Sequence, residues 1–252
     1  MTRLSLSQVD HRPWPLPAGP WAMAQRWSKL LFAHWPVAVD ELREQIPAAL
    51  DIDVFDGTGW IGVVPFELRI RPRGLPVVPR VAAFPEINVR TYVSCGCKPG
   101  VWFFSLDATS PIAVRLARWT FYLPYFLADI AADSTGSSMH FKSHRLTPGT
   151  AAHFEARYRP NSEVFLAVPG TLEHWLTERY CLYASNAAGA IYRTDVQHAP
   201  WPLQTAEWDL QVNSMADPVG IALNGPPILH FANTIEVVNW LPQKVCEGPT
   251  GE

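Results

Sequence analysis

Charge is scarce in this chain. Asp, Glu, Lys and Arg make up only 17% of 252 residues, against 48% hydrophobic, and the formal net charge is -3. So little charge at that hydrophobicity excludes a disordered polymer. The absence of a basic stripe removes the electrostatic case for a nucleic-acid partner. No window approaches the roughly 20 consecutive apolar residues of a membrane span, and Met1–Gln8 holds no apolar run of the kind that opens a signal peptide. A cytoplasmic protein with no membrane partner is therefore expected. Cysteine is sparse as well, at positions 95, 97, 181 and 246. Cys95-Gly96-Cys97 lacks the two-residue spacer of zinc knuckles and redox motifs, so all four read as free thiols of a reducing compartment. Gly-x-Ser-x-Gly, a Walker loop and a Gly-rich dinucleotide fingerprint are all missing, and no cofactor is expected. His140, Lys142 and His144 alternate along one segment, but Lys142 stands between the histidines and no acid or Cys joins them at ligand spacing. A solvated strand face explains them better than a metal.

Aromatics and proline are abundant: Trp 11, Phe 12, Tyr 7 and Pro 24. Proline at about twice its usual share favours short elements and many turns over long helices. With no cationic surface beside them, the aromatics read as core rather than a nucleic-acid stacking platform. They suit a dimer interface as well as a core, which leaves a homo-oligomer open. Residues 1–20 form a Pro-rich extended arm, 21–242 a single domain, and 243–252 a polar tail.

A first strand is expected at Lys29–Ala33. A short helix should follow with Asp40 at its N-cap and Leu42, Ile46 and Leu50 on one face, ended by Pro47. Asp56-Gly57 turns into a long strand that puts Trp60, Val64, Phe66, Leu68 and Ile70 on one face. Arg69–Arg80 reads as an exposed Pro- and Arg-rich loop. Ser110-Pro111 opens a helix running to about Leu123 with Arg115, Arg118 and Tyr122 in one stripe. Thr171 caps a second short helix. Strands at 139–146, 152–159, 190–198 and 206–212 complete an α+β domain on a curved or closed sheet.

The stretch that stands out is Phe84-Pro85-Glu86-Ile87-Asn88-Val89-Arg90-Thr91-Tyr92-Val93, expected to pair with 101–107 as an antiparallel hairpin. Alternation puts Ile87, Val89, Thr91 and Val93 on one face and Glu86, Asn88, Arg90 and Tyr92 on the other. Periodicity alone favours a solvated polar face over one that points into a barrel or cleft. His34 and His198 read as buried, hydrogen-bonded histidines, and Glu178-Arg179-Tyr180 as a local salt bridge with an aromatic plug.

Leu31-Phe32-Ala33-His34-Trp35-Pro36-Val37, Asp56-Gly57, Glu86–Val93, Leu123-Pro124-Tyr125, Thr177-Glu178-Arg179-Tyr180 and His198-Ala199-Pro200-Trp201-Pro202-Leu203 occur in this order. Together they resemble the YqjF-like family of uncharacterised bacterial proteins over residues 20 to 242. The resemblance implies an acetoacetate-decarboxylase-like barrel with a buried cavity, and no established activity. Toward acetoacetate decarboxylase itself, Asp40, Leu42 and Pro47-Ala48-Ala49-Leu50 look like its early segment, and Phe84-Pro85-Glu86 looks like the strand bearing its active-site acid. The stretch similar to its paired lysines is Tyr122-Leu123-Pro124-Tyr125-Phe126, which has aromatics instead. A phenol cannot form an imine with a keto acid, and the nearest lysines, Lys98 and Lys142, fall in a turn and on a solvated strand face. Schiff-base decarboxylation is therefore not expected.

Two expectations remain. In the first the chain is an enzyme acting on a small carbonyl or carboxylate compound. Glu86 is its acid/base, Tyr125 or Tyr122 donates to an oxyanion, Arg90 or Arg118 holds a carboxylate, and Asn88 and Tyr92 complete the pocket. In the second it is a non-catalytic protein that binds a small organic acid, with Glu86 and Arg90 as a structural ion pair.

Overall fold

The computed structural model describes residues 6, 8–74 and 82–246. Its strands are β1 (Met23–Val37), β2 (Asp51–Ile52), β3 (Gly59–Pro72), β4 (Ala83–Cys95), β5 (Lys98–Ala108), β6 (Tyr125–Thr135), β7 (Ser138–Arg145), β8 (His153–Pro160), β9 (Cys181–Ser185), β10 (Ile191–His198), β11 (Leu203–Asn213), β12 (Ile228–Asn239) and β13 (Gln243–Cys246). Helices are few and short: α1 (Val39–Arg43), α2 (Pro111–Phe121) and α3 (Leu172–Thr177). None among the described residues is long and apolar enough to cross a membrane.

The strands form one sheet in the order β13-β10-β9-β5-β6-β7-β8-β11-β12-β1-β3-β4-β2, and further pairings of β10 with β12 and of β4 with β5 close it on itself. Among the described residues only β5 pairs in parallel, with β6 and with β9, so the closed barrel is mixed. The expected α+β chain on a closed sheet with a few short helices is the one observed.

Strands β12, β1, β3, β4 and β5 make a wall buried on both sides. Leu31, Ala33, Ile61, Val63, Ile87 and Val89 pack one side against Phe141, Phe154 and Ala156 of β7 and β8. Phe32, Val64, Phe66 and Phe84 pack the other side with Ala184 of β9, Val196 of β10 and Val114 and Phe121 of α2. This double burial explains why the strands read as near-continuous apolar runs. It also corrects the reading of Glu86, Asn88, Arg90 and Tyr92 as a solvated face. They are 2%, 4%, 8% and 0% exposed, on a strand with no solvated side from Glu86 to Val93.

Local chemistry sets the joints. Gly96 and Cys97 both take positive φ (58° and 61°), the turn that matches the strand twist of a two-residue hairpin, and join Cys95 to its partner Lys98. A bulge on β5 then places Phe103 opposite Arg90 and Ser105 opposite Val89. Ser110 caps α2 by accepting from the Ala113 N–H at 3.3 Å, and Thr171 caps α3 from His174 N–H at 3.4 Å, both as expected.

Other expectations are corrected. The first strand is longer than Lys29–Ala33, because pairing with β12 and β3 extends it. Asp40 lies in the first turn of α1, and Ala38 holds the cap position without a side-chain bond. The helix stops at Arg43, whose guanidinium donates to the carbonyls of Ile46, Pro47 and Leu50. Within the N-terminal arm, Arg12 is buried, donates to Gln197 Oε1 at 2.9 Å and lies over the Tyr180 ring. The tail begins with β13, paired to β10. Cys95 is disulfide-bonded, so the expectation of four free thiols fails, while Cys97 and Cys181 are free. β3 continues through the start of the expected 69–80 loop, and residues 75–80 of that loop lie outside the described residues.

Candidate functional site

The inward face of β4 carries the site. Tyr125 opens β6 beside Leu106 of β5, and Leu106 lies opposite Asn88 of β4. That places the Tyr125 phenol within reach of Glu86, to whose Oε2 it donates at 2.7 Å. Burial penalises the Glu86 carboxylate and pushes its pKa up to about 7. The hydrogen bonds from Tyr125 and Asn88 pull the other way and fall short, and Asp107 adds to the rise. Tyr125 is itself raised well above the ordinary phenol value, first by burial and then by Glu86. The pair is thus a carboxyl poised to exchange a proton near neutrality beside a phenol that keeps its own.

One step along β4, Arg90 and Tyr92 meet β1. His34, Gly62 and Arg90 stand level across β1, β3 and β4. A Cβ on Gly62 would lie 2.9 Å from His34 Cδ2 and 3.6 Å from Arg90 Cγ, so only glycine lets those side chains meet over this position. Tyr92 donates to the Leu176 carbonyl at 2.8 Å, and its oxygen lies 2.8 Å from His34 Nε2. Burial first, then Arg90 and His230, hold the His34 pKa well below its usual value, so the ring is neutral. The Arg90 guanidinium lies over the Phe32 ring at 5.1 Å. Among the described residues it forms no ion pair, and its buried Nε has no hydrogen-bond partner. Asn88 Oδ1, His34 Nδ1 and Trp60 Nε1 are likewise buried without partners. The expected Glu86–Arg90 ion pair is absent among the described residues. Four residues along a strand separate their backbones by about 13 Å.

The structure therefore gathers Glu86, Asn88, Arg90, Tyr92 and Tyr125, and it sends Arg118 and Tyr122 elsewhere. Arg118 donates to the Tyr125 carbonyl at 2.6 Å from the exposed side of α2. Tyr122 leaves the helix in the left-handed region (φ 56°) and packs on Tyr192, with ring centroids 4.5 Å apart. There it lines a cleft of about 320 Å³ with Trp102, Phe103, Phe104 and Tyr183. The stripe expected of Arg115, Arg118 and Tyr122 breaks at this helix end.

His34 and His198 are buried and hydrogen-bonded as expected, His198 to the carbonyls of Ala199 and Arg179. Glu178 accepts from Tyr180 and Trp201, and Arg179 pairs with Asp53 at 2.5 Å. His140 and Lys142 share Glu155 on a partly solvated face, and no group of metal-ligating side chains forms among the described residues. Lys98 lies over Trp14, away from Glu86.

Two features escaped the sequence reading. His34 belongs to the polar row, and its shared parity with Phe32 on β1 was the available signal. Asp107 and Arg145 form a fully buried two-nitrogen ion pair (2.7 and 2.8 Å) beneath the Phe126 ring. Its signal was that Arg145 sits on the apolar parity of β7, with Phe141 and Ser143.

Against known proteins, residues 24–236 match the DUF2071 family, described as an uncharacterized conserved protein. The chain is 45% identical over 227 residues to the uncharacterized protein YqjF of Bacillus subtilis (strain 168), covering 89% of this chain and 93% of that one. An acetoacetate decarboxylase-like enzyme from Sphingomonas wittichii RW1 superposes with TM-score 0.64 at 10% identity, over 90% of this chain and 94% of that one. Acetoacetate decarboxylase from Legionella pneumophila gives 0.60 at 12%, over 98% of each chain. The enduracididine biosynthesis enzyme MppR complexed with pyruvate gives 0.59 at 11%, over 94% of each. At such identities the likeness is one of fold.

Proposed function

The chain belongs to the DUF2071 family and has an acetoacetate decarboxylase-like barrel, and from that premise we propose that it is an enzyme binding a small organic acid on the inward face of β4 and moving a proton with Glu86. The observation that carries this reading is the Glu86–Tyr125 pair, a buried carboxyl held near neutrality 2.7 Å from a phenol. A base works best when its pKa lies near the working pH. Arg90 supplies the cation for the substrate carboxylate, since Arg118 is engaged by the Tyr125 carbonyl. Its guanidinium leans over Phe32, which precedes His34 on the same face of β1 and stands toward the Asn88 end of the row. Glu86 in its ionised form takes the proton from the carbon next to the carbonyl. Tyr125 holds the carboxylate oxygen and stabilises the ionised form. Tyr92 is fixed between His34 and Leu176 and serves as scaffold. The pyruvate in the MppR complex supports a small acid as the class of ligand.

No imine is formed, because the position that resembles the nucleophilic lysine is Tyr125. That same replacement favours a second reading, a protein that binds the acid and does no chemistry.

Hydrogen–deuterium exchange separates the two. Small keto and hydroxy acids are screened by thermal shift, and the acid that binds is followed by proton NMR in D2O. An enzyme exchanges the proton next to the carbonyl, and Glu86→Gln binds the acid without exchanging it. Binding with no exchange by the wild type leaves the non-catalytic reading. Absence of any stabilising acid removes both.

A further inference from the structure

Resting on that reading of the inward face, we infer that the acid it accepts carries a hydroxyl group, and that His34 Nδ1 receives that hydroxyl's hydrogen. One proton fixes the tautomer of His34. The Tyr92 oxygen lies 2.8 Å from the Leu176 carbonyl oxygen and 2.8 Å from His34 Nε2. A carbonyl oxygen only accepts, so the single phenolic hydrogen goes to Leu176. The remaining contact holds only if His34 Nε2 carries a hydrogen and donates it to Tyr92. A neutral imidazole has one ring hydrogen, so Nδ1 is a bare lone pair. Burial and the neighbouring Arg90 oppose a second ring proton.

That lone pair has no partner among the described residues, and His34 is 0% exposed. Asn88 supplies a second acceptor. Its amide faces the Glu86 carboxyl, which leaves the buried Oδ1 unpartnered. Arg90 Nε and Trp60 Nε1 are unpartnered donors on the same face. These four groups are two donors, one of them cationic, and two acceptors, and His230 Nδ1, opposite Phe32 on the same face, is buried without a partner as well. Buried polar groups are nearly always satisfied. A plain keto acid or saturated acid offers only acceptors, which would satisfy Arg90 and Trp60 and leave the lone pairs of His34 and Asn88 facing oxygen or carbon. A hydroxylated acid offers a carboxylate to Arg90 and a hydrogen to His34 Nδ1. A site built to hydrogen-bond a hydroxyl discriminates strongly against the analogue that lacks it. The contact also places His34 as a specificity-determining residue, one the Glu86 chemistry does not require.

The test is a matched set of acids measured by isothermal titration on the full chain: lactate, pyruvate and propionate, and 3-hydroxybutyrate, acetoacetate and butyrate. At least one hydroxy acid is expected to bind about tenfold or more tighter than both its partners. His34→Phe keeps a flat ring and removes the acceptor. It should bring that ratio to within about threefold, and His34→Gln, which keeps an acceptor, should retain part of it. If His34→Phe fails to fold, the wild-type ratios and His34→Gln still decide. Equal binding of hydroxy, keto and saturated acids, with or without proton uptake, overturns the inference and leaves the acid-binding reading standing. Failure of every acid to bind overturns both.

Discussion

The phenol of Tyr125 donates to Glu86 across 2.7 Å, and both side chains are buried, at 9% and 2% exposure. The relationship joins the start of β6 to the middle of β4, residues 39 apart in sequence. Its electrostatics are a contest that desolvation wins, because one neutral hydroxyl and one amide cannot replace the water a carboxylate loses on burial.

Stability should record that contest. The Glu86 pKa is about 7 in the folded chain and near 4.5 unfolded. Between those values the folded state holds a proton that the unfolded state has lost, so stability falls as pH rises through the window. The loss amounts to about 3 kcal/mol by pH 8 and is absent below pH 4.5. Glu86→Gln cannot ionise and should escape it. Urea melts of the two proteins at pH 5 and pH 8 should show the variant gaining on the wild type at the higher pH. A difference that stays constant with pH would refute the assignment.

Arg90 is a buried cation with no ion-pair partner among the described residues, so its charge costs stability where it stands. Arg90→Met keeps most of the volume and removes the charge. We expect unchanged or higher melting temperature together with loss of small-acid binding. A variant that melts several degrees lower would make Arg90 a structural residue instead.

Asp107 and Arg145 should behave oppositely. Asp107→Asn leaves the Arg145 guanidinium uncompensated and should cost about 3–5 kcal/mol. Asp107→Leu combined with Arg145→Met should recover most of that, since both charges leave together. Denaturation of Asp107→Leu, Arg145→Met and the double variant completes the cycle.

Gly62→Ala would put a methyl group 2.9–3.0 Å from the imidazole of His34, a ring already fixed by Tyr92. The expected cost is about 1–3 kcal/mol from overpacking. Thermal denaturation checks it, and the same substitution should disturb acid binding through His34.

Thiol chemistry gives a separate check on the fold. Exposed Cys97 should alkylate readily in the native protein. Cys181 is buried, with its thiol pushed up to about 12 mainly by desolvation, and should resist until the chain is unfolded. Peptide mapping after iodoacetamide treatment distinguishes the two.

Much of the architecture was legible in the sequence because it is written in local rules. Alternation marked the strands and the hairpin expected between 84–93 and 101–107, and Ser110-Pro111 and Thr171 marked two helix starts. The ordered motifs also marked the family. Glu86, Asn88 and Arg90 were singled out by parity alone. Parity says which residues share a face and is silent about what lies over that face. A solvated row and a buried one have the same period, and only the pairing of β10 with β12 and of β4 with β5, which closes the sheet, decided that Glu86 meets Tyr125 and not water. The pairing of β1 with β3 put His34 over Gly62, and the fold brought Arg145 to Asp107, contacts between residues 28 and 38 apart in sequence. Composition limited what the chain could be, and local periodicity named the residues. The long-range pairing of strands set the solvation of each polar group, and therefore its charge, its partner and its capacity for chemistry.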